Sequence, residues 1–250
     1  MKRIKTYVIN LLKDRDRRES ILAETGKLPC LDIEMIKAVY GKELTDEERN
    51  RLFDSLNYKR HYGRSVLPGE IGCCLSHREC YKRLLESDHE FALILEDDIR
   101  FMNGAFSEGF SKAAIEFMHS EEPVIILLHA DFEYIGRKQI FYDKYDLYPA
   151  YKALYATAYL VNKSAARLLL RTETPYWVAD DWFCFRRWGI RIYCLYPSAV
   201  IQQWDKLGSS IKEEKRSLIE KRSFPCSYRI YNKLEYFLLK KLGIIKYLRE

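Results

Sequence analysis

The chain has 250 residues, 48% of them hydrophobic and 31% charged, with a formal net charge of +6. This ordinary globular balance predicts one large α/β domain, alone or with a small appendage, and favours anionic partners without choosing among phosphates, acidic lipid and nucleic acid. No apolar run approaches the length of a membrane span, and the short apolar run near the N-terminus is too short for a signal peptide, so we expect a soluble or peripheral protein.

The first part of the chain alternates strand and helix patterns. A strand is predicted over 5–12 and is followed by a charged loop and helix, which is how many nucleotide-binding α/β domains begin. The phosphate-loop fingerprints GxGxxG and GxxxxGK(S/T) are absent. A second strand is predicted over 33–39, then a short helix from a capping box at Thr45 to about Leu56, and a loop over 57–66.

A second long helix is predicted from Pro68, because proline is well placed at a helix start and apolar residues recur at helical spacing. Its small residues Gly72, Cys73 and Cys74 predict that another segment approaches the helix closely. From periodicity alone, His77 in the middle of this helix is a histidine at the edge of the core.

An acidic triplet follows the most apolar strand of the chain. The run from Phe91 to Leu95 predicts a fully buried strand, and Glu96, Asp97 and Asp98 come directly after it. Three adjacent carboxylates at the end of a buried strand are costly unless a cation or strong donors meet them. Mg2+ or Mn2+ suits such oxygen ligands, commonly shared with a substrate phosphate. The alternative is a solvated acidic turn.

The seven cysteines are irregularly spaced and include no CxxC pair. This spacing supports neither a zinc site nor a disulfide framework, and it favours reduced, buried thiols in a cytosolic protein.

The second half of the chain contains further alternating elements. They are a helix over 105–118, a strand over 124–128, a loop or hairpin over 132–151, a strand over 153–161, a helix over 163–171 and a strand over 190–195. His129 and Asp131 follow the strand at 124–128. In a parallel sheet they face the same edge as Glu96 and Asp98, whereas the alternative is a pair of surface residues.

Two carboxylates, Asp180 and Asp181, stand between Trp177 and Trp182. Carboxylates hydrogen-bond sugar hydroxyls, and tryptophan faces stack on sugar rings, so this segment predicts a saccharide site. The alternative is a helix N-terminus over 182–188 that one aspartate caps. Both interpretations hold together if one aspartate caps the helix and the other faces substrate.

The C-terminal segment is basic and amphipathic, with leucine, isoleucine and phenylalanine alternating with lysine over 228–250. We expect a domain over 1–211, a tail over 212–250 and a linker near 205–212. The tail either lies on an anionic membrane or packs on the domain with its charges outward.

Four blocks of the chain resemble glycosyltransferase family 25, the lipooligosaccharide and lipopolysaccharide core sugar transferases. They are Tyr7–Leu11 with the following arginines, Gly69–Cys73 with Leu75–His77, Leu93–Asp98, and Gln203 with Ser209–Ile211. The second and third blocks are the specific part. The resemblance implies an α/β, GT-A-like, single Rossmann-type nucleotide-binding domain with a mixed, mostly parallel sheet and a C-terminal helical tail.

The resemblance also implies roles for individual residues. Asp180 and Asp181 would be the catalytic carboxylates, with Asp180 the better match. The donor would lie against Asn10, Leu11, Arg15, Ser76, His77, Glu96 and Asp97. The metal would bind Asp98, Glu96 and Gln203, since no histidine follows His129 to complete the site. The acceptor would meet Trp177, Trp182, His129 and Asp131.

The activity so implied is the transfer of a hexose, most simply galactose, from a UDP-sugar to a lipooligosaccharide core saccharide, with inversion and with Mn2+ or Mg2+. The implied partners are a nucleotide-sugar donor, a lipid-linked saccharide acceptor and the membrane surface, but not nucleic acid. The location would be cytoplasmic, at the inner face of the bacterial inner membrane. Two alternatives stay open: a metal-dependent phosphoesterase and a non-enzymatic module that binds anionic surfaces.

Overall fold

A computed structural model describes residues 3–203 and 227–248. The strands are β1 Ile4–Asn10, β2 Leu31–Lys37, β3 Phe91–Glu96, β4 Ile99–Phe101, β5 Val124–Leu127, β6 Phe132–Tyr134, β7 Gln139–Tyr142, β8 Tyr145–Ala153, β9 Ala158–Asn162, β10 Arg191–Tyr196, β11 Val200–Gln202 and β12 Lys246–Tyr247. The helices are α1 Arg15–Thr25, α2 Asp46–Leu52, α3 Ser55–Tyr62, α4 Pro68–Glu86, α5 Glu108–Met118, α6 Lys163–Leu169, α7 Trp182–Arg187 and α8 Ser227–Lys241.

A ten-stranded mixed sheet organises the described part of the chain, in the order β12-β6-β8-β10-β5-β9-β3-β1-β2 with β7 beside β8. β1 pairs in parallel with both β2 and β3, and β5 pairs in parallel with β10. β9 runs antiparallel between β3 and β5, and β8 runs antiparallel to β10, β6 and β7. Seven strands therefore run in one direction and only β8, β9 and β12 in the other, which confirms a mixed, mostly parallel α/β sheet.

The core lies on both faces of this sheet. Along β3, Ala92 and Ile94 pack into one buried cluster with α4, α6 and α7, whereas Leu93 and Leu95 pack into a second cluster with α1 and α5. A strand covered on both faces needs an uninterrupted apolar run, which is the reason for the composition of β3. The same geometry keeps polar side chains out of the strand until it ends at Glu96.

A small second sheet folds the chain back beside the acidic triplet. β4 and β11 pair antiparallel, with Gln202 opposite Ile99. Because Ile99 directly follows Asp98, this pairing brings a segment more than 100 residues away to the end of β3.

The segment 38–42, which follows β2, packs directly on α4. A Cβ on Gly41 would lie 1.7 Å from the carbonyl oxygen of Pro68, and one on Gly72 would lie 2.4 Å from that of Val39. Only glycine allows backbones to come this close. This contact is the close approach that the small residues of α4 predict.

Several predicted boundaries are wrong. Residues 57–62 of the predicted loop are helical, because α3 continues to Tyr62 after an N-cap in which Asp54 accepts from the backbone N–H of Asn57 at 2.9 Å, and only residues 63–66 lie outside helix and strand. The segment 132–151 contains a hairpin, as one of the two alternatives predicts, formed by β7 and β8, and it also contains the strand β6. The strand predicted over 153–161 begins only at Ala158, because residues 154–157, among them Tyr155 with φ of +74°, separate β8 from β9.

The C-terminal helix α8 contacts the domain through Glu235 and Tyr236. The Tyr236 hydroxyl donates to Glu133 at 2.6 Å, and Glu235 lies 3.7 Å from a guanidinium nitrogen of Arg187. No helix in the described ranges is long and apolar enough to cross a membrane. The predicted linker, the domain boundary at 211 and the residues Ser209–Ile211 lie outside the described residues.

Candidate active site

A cleft opens where β1 and β3 end and segment 38–42 packs on α4. The residues that line it share this edge of the sheet and are Ile9, Leu11, Asp14, Arg17, Ala38, Val39, Tyr40, Gly41, Lys42, Gly69, Cys73, Ser76, His77, Glu96, Asp97, Asp98 and Gln202. The structure therefore brings the end of the first strand, the middle of α4 and the acidic triplet to one place.

Asp97 is held by the segment that follows β1. Asn10 donates from Nδ2 to Oδ2 of Asp97 at 2.7 Å, and Arg17 donates from Nη1 to Oδ1 at 2.9 Å. Both partners lie on the strand and helix that open the domain. Burial raises the pKa of Asp97, while the bonds from Asn10 and Arg17 oppose that rise.

Asp98 is a buried carboxylate with one unpaired oxygen among the described residues. Gln202 donates from Nε2 to Oδ2 of Asp98 at 3.0 Å, and Nη2 of Arg17 lies 3.6 Å from the same oxygen. Burial, and then the charge of Glu96, raises the pKa of Asp98 to about 6. A buried carboxylate so close to other carboxylates favours a bound cation.

Three oxygens around this point are buried without a hydrogen-bond partner among the described residues: Oδ1 of Asp98, Oε1 of Gln202 and Oδ1 of Asn10. Buried oxygens left unpaired are costly. A carboxylate with amide oxygens is a donor set of the kind that Mg2+ and Mn2+ take, so the residues fit a hard divalent cation.

Gln203, the expected metal ligand, is placed differently. Its Nε2 donates to the carbonyl oxygen of Ile99 at 3.2 Å, and Gln202 is the glutamine that faces Asp98. Because neighbouring residues of a strand face opposite sides, a shift of one residue exchanges the two side chains. Gln202, and not Gln203, is therefore the glutamine whose side chain faces the acidic triplet.

Ser76 anchors the segment that borders the cleft. Its hydroxyl accepts from the backbone N–H of Val39 at 2.8 Å and donates to the carbonyl oxygen of Gly72 at 2.6 Å. Ser76 is fully buried. Its contacts in the structure therefore hold the position of segment 38–42.

A buried hydrogen-bond chain runs from α4 to the cleft. The hydroxyls of Tyr81 and Tyr159 lie 2.7 Å apart, and the Tyr159 hydroxyl lies 2.7 Å from Nδ1 of His77. Nε2 of His77 lies 3.5 Å from Oε1 of Glu96. His77 is thus a core histidine on one side, as periodicity indicates, and a cleft residue on the other.

Asp180 lies near the strand-end carboxylates, although the two are more than 80 residues apart in the chain. Burial is the main cause that raises the pKa of Asp180, followed by the charges of Asp181 and Glu96. Backbone hydrogen bonds, including one from Tyr155, oppose this shift. A carboxylate with a raised pKa beside a cleft is suited to accept a proton.

Both carboxylate oxygens of Asp181 accept hydrogen bonds from neighbouring parts of the fold. Its Oδ1 accepts from the backbone N–H of Cys184 at 3.1 Å and so caps α7, and its Oδ2 accepts from the Tyr62 hydroxyl at 2.5 Å. Nε2 of His61 lies 3.6 Å from the same oxygen. The two neighbouring aspartates therefore have separate environments, and only Asp181 caps the helix.

The expectation that Trp177 and Trp182 stack on a sugar ring is wrong, because their side chains are only 2% and 1% exposed. Trp182 donates from Nε1 to the carbonyl oxygen of Tyr155 at 2.8 Å. Tyr155 itself is partly exposed and lies beside Asp180. A positive φ in a non-glycine residue is costly and is common near functional sites, so Tyr155 is the aromatic candidate in this region.

His129 and Asp131 lie around Tyr155 rather than in the cleft lining. The His129 ring stacks on that of Tyr155 with centroids 5.5 Å apart, and Nδ1 of His129 lies 3.1 Å from the Thr157 hydroxyl. The Tyr155 hydroxyl donates to Asp131 at 3.0 Å. Since β3 and β5 run in the same direction, both residues share the edge of Glu96, as the parallel arrangement predicts.

Two residues that we expect to bind the sugar-nucleotide donor differ in their position relative to the cleft. Leu11 lines the cleft, whereas Arg15 is exposed at the start of α1 and does not line it. Arg17, one helical half-turn further, is the arginine that reaches the carboxylates. Helix geometry contains the signal for this choice, but three nearby arginines make it ambiguous without the structure.

The fold and cleft define an α/β domain of the type that binds ligands beyond the carboxyl ends of its parallel strands. The family model of glycosyltransferase family 25, described as an LPS biosynthesis protein family, matches residues 3–184. The chain belongs to this family.

Curated relatives share the family but are much longer. Procollagen galactosyltransferase 1-B of Xenopus laevis is 32% identical over 179 residues, which is 67% of this chain and 28% of that protein. The human protein named inactive glycosyltransferase 25 family member 3 is 30% identical over 177 residues, again 67% and 28%. A solved structure, a UTP-bound UGPase from Acinetobacter baumannii, is 12% identical with a TM-score of 0.45 and covers 96% of this chain and 100% of its own.

Proposed function

We propose that this chain transfers a hexose, most simply galactose, from a UDP-sugar to a lipid-linked saccharide of the lipooligosaccharide core, with a divalent cation and with inversion. The observation that carries the proposal is the convergence of Asp180 with the end of β3. A carboxylate that can accept a proton, close to a cleft that contains a candidate cation-binding carboxylate, supports a single displacement.

The donor would bind along the cleft between β1 and segment 38–42. Asp98, Gln202 and Asn10 offer the oxygens for Mn2+ or Mg2+, which would supply positive charge to the leaving diphosphate. Arg17 adds a fixed cation to the same point, since its guanidinium already lies between Asp97 and Asp98. Glu96, His77 and Leu11 lie further along the same wall.

The acceptor would approach from the side of Tyr155. Asp180 would take the proton of the attacking hydroxyl, because its raised pKa makes it a better base than an ordinary aspartate. The partly exposed ring of Tyr155 offers the apolar face on which a sugar stacks. His129 and Asp131 hold that ring.

The substrate assignment comes from the family. Relatives of this chain are named procollagen galactosyltransferases, which supports galactose as the sugar, and the family description names LPS biosynthesis, which supports a lipopolysaccharide-type acceptor. We extend the proposal to a cytoplasmic location at the inner face of a bacterial inner membrane, where such lipid-linked saccharides would be reached.

The tail supports this location. In α8, Leu234, Phe237 and Leu238 are 61%, 65% and 50% exposed, and Lys240 and Lys241 lie beside them. An apolar row flanked by lysines is typical of a helix that lies on an anionic membrane. Glu235 and Tyr236 contact the domain from the other side of the helix, so the apolar row points away from it.

The test is a transfer assay with UDP-galactose and a lipooligosaccharide core acceptor in the presence of Mn2+, comparing wild type with Asp98→Asn and Asp180→Asn. We expect both variants to lose transfer while staying folded. Near wild-type transfer in both would reject the site. Hydrolysis of phosphoesters without sugar transfer by the wild type would support a phosphoesterase instead.

A further inference from the structure

A second group of metal-ligating side chains lies in the cleft, beside but distinct from the oxygens around Asp98. Sγ of Cys73, a ring nitrogen of His77 and a carboxylate oxygen of Glu96 lie within 4.8 Å of one another. Cys73 and His77 are four residues apart on α4 and so share one face, and Glu96 reaches them from the end of β3. The cysteine spacing alone predicts no zinc site, because the third ligand comes from another element.

We propose that Cys73, His77 and Glu96 form a binding site for Zn2+. The ligand chemistry separates this site from the one at Asp98. A thiolate and an imidazole favour zinc and related borderline metals, whereas Mn2+ and Mg2+ prefer oxygen ligands. Three protein ligands in an open cleft leave a fourth position for water, the arrangement found in zinc sites that are accessible to solvent.

The surroundings of His77 are those of a metal-ligating histidine. Its Nδ1 is hydrogen-bonded to the Tyr159 hydroxyl at 2.7 Å, which in turn bonds Tyr81, and this chain fixes the ring with Nε2 directed at Glu96. Such outer hydrogen bonds orient the ring of a zinc-bound histidine. Zn2+ would replace the thiol proton of Cys73, which leaves to solvent.

Access also selects Cys73. Among the cysteines that the structure describes, the other five are buried and Cys73 is partly exposed. A separate trio, His61, Asp181 and Cys184, has a similar spacing, but its cysteine is buried and its aspartate already caps α7. The cleft site is therefore the one a cation can enter.

Zinc in this position would exclude the sugar-nucleotide, because Cys73, His77 and Glu96 line the same cleft as Asp98. We therefore expect Zn2+ to inhibit transfer in competition with the donor. This consequence rests on the proposed function, whereas zinc binding itself does not.

The test measures metal binding on the full-length, metal-free protein, without reference to activity. Co2+ is added and the thiolate-to-cobalt charge-transfer absorption is recorded, and Zn2+ is then used to displace the cobalt. We expect a thiolate band in the wild type that Zn2+ abolishes and that excess Mg2+ does not. We expect no band in Cys73→Ser, and retention of the band in the matched control Cys184→Ser.

A further variant keeps the test informative if Cys73→Ser folds poorly. Tyr159→Phe leaves all three ligands in place and removes only the Tyr159 hydroxyl, which bonds both His77 and Tyr81, so zinc affinity should fall about 10-fold or more while the thiolate band persists. Absence of a thiolate band in the wild type, its persistence in folded Cys73→Ser, or its loss in Cys184→Ser would overturn the proposal. Unaltered zinc affinity in Tyr159→Phe would overturn the role of the hydrogen-bond chain.

Discussion

Gln202 donates from Nε2 to Oδ2 of Asp98 over 3.0 Å, while Oε1 of the same glutamine and Oδ1 of the same aspartate are buried without a partner among the described residues. The hydrogen-bonding capacity of this pair is therefore only half used. Each residue has one oxygen available for a cation, and the antiparallel pairing of β4 with β11 is what sets them side by side.

Replacing Gln202 should weaken cation binding. We expect Gln202→Ala to raise the Mn2+ concentration needed for half-maximal transfer by about 10-fold, because an amide oxygen and the orientation of Asp98 are both lost. The matched control is Gln203→Ala, whose side chain bonds the Ile99 carbonyl oxygen instead. Equal effects of the two variants in a manganese titration would contradict the assignment.

Neutralising Asp98 should stabilise the metal-free protein. Burial, and then the charge of Glu96, raises the pKa of Asp98 from 3.8 to about 6. The folded state therefore binds the proton more tightly than the unfolded chain, and this contribution to stability is lost as the pH rises through about 6. At pH 7.5 we expect Asp98→Asn to raise Tm without metal, by about 2–4 °C for each kcal/mol gained.

The difference in Tm between Asp98→Asn and the wild type should be smaller at pH 4, where Asp98 is protonated in the folded wild type. Thermal unfolding at the two pH values, in the presence of a chelator, measures it. A Tm for Asp98→Asn below that of the wild type at pH 7.5 would show that Asp98 is satisfied without a cation.

Arg17 and Arg15 should behave differently despite lying on the same helix. Arg17→Ala leaves Asp97 and Asp98 without their cation, so we expect a loss of about 1–3 kcal/mol in the free energy of unfolding and weaker UDP binding. Arg15→Ala removes an exposed side chain and should change stability by less than about 0.5 kcal/mol. Urea unfolding and a UDP thermal shift test both, and a larger effect at Arg15 would reverse the assignment.

Substitution of Asp180 should mainly lower catalysis, and substitution of Asp181 should mainly lower stability. We expect Asp180→Asn to lower kcat about 10²–10⁴-fold with little effect on unfolding. Asp181→Ala should cost about 1–3 kcal/mol, because α7 loses its cap and the Tyr62 hydroxyl loses its acceptor. Because the pKa of Asp180 is raised, kcat/KM should fall as the pH drops through that value. Steady-state kinetics and urea unfolding of both variants test whether Asp180 acts in catalysis and Asp181 in stability.

The exposed row of α8 should bind anionic lipid. We expect Phe237→Glu to weaken sedimentation with phosphatidylglycerol vesicles about 10-fold or more, since a buried aromatic side chain contributes about 1.5–3 kcal/mol. Ile140→Glu is the control, because Ile140 is also highly exposed but lies on β7. No binding by the wild type, or equal loss in the two variants, would remove the tail from the membrane proposal.

The buried strand and its carboxylates are predictable from sequence. Phe91–Leu95 is continuously apolar because β3 packs on both faces, and no polar residue fits until the strand ends at Glu96. The helix cap at Asp181 is equally local, since a short polar side chain before a helix accepts from the backbone three residues on. These features depend only on neighbouring residues.

The tryptophans and glutamines show where local reasoning fails. Trp177 and Trp182 have the composition of a sugar-binding wall, but a large aromatic residue looks the same in a sequence whether it packs in the core or faces a ligand. Gln203 and Gln202 differ by one position, and only the pairing of β11 with β4 decides which one meets Asp98. The role of Arg17 has a similar cause, because its partner Asp97 is 80 residues away, whereas the missed helix α3 has a local signal in its N-cap Asp54.

The sequence by itself therefore determined the α/β class, the acidic edge of the sheet and the family motifs, because burial, alternation and capping act over a few residues. The tertiary structure decided which groups come together: Gln202 with Asp98, Cys73 with His77 and Glu96, and Asp180 close enough to Glu96 for the two charges to interact. These meetings depend on strand order and on the packing of α4 against segment 38–42. Chain neighbours do not specify them, since each contact joins segments that only the whole fold brings together.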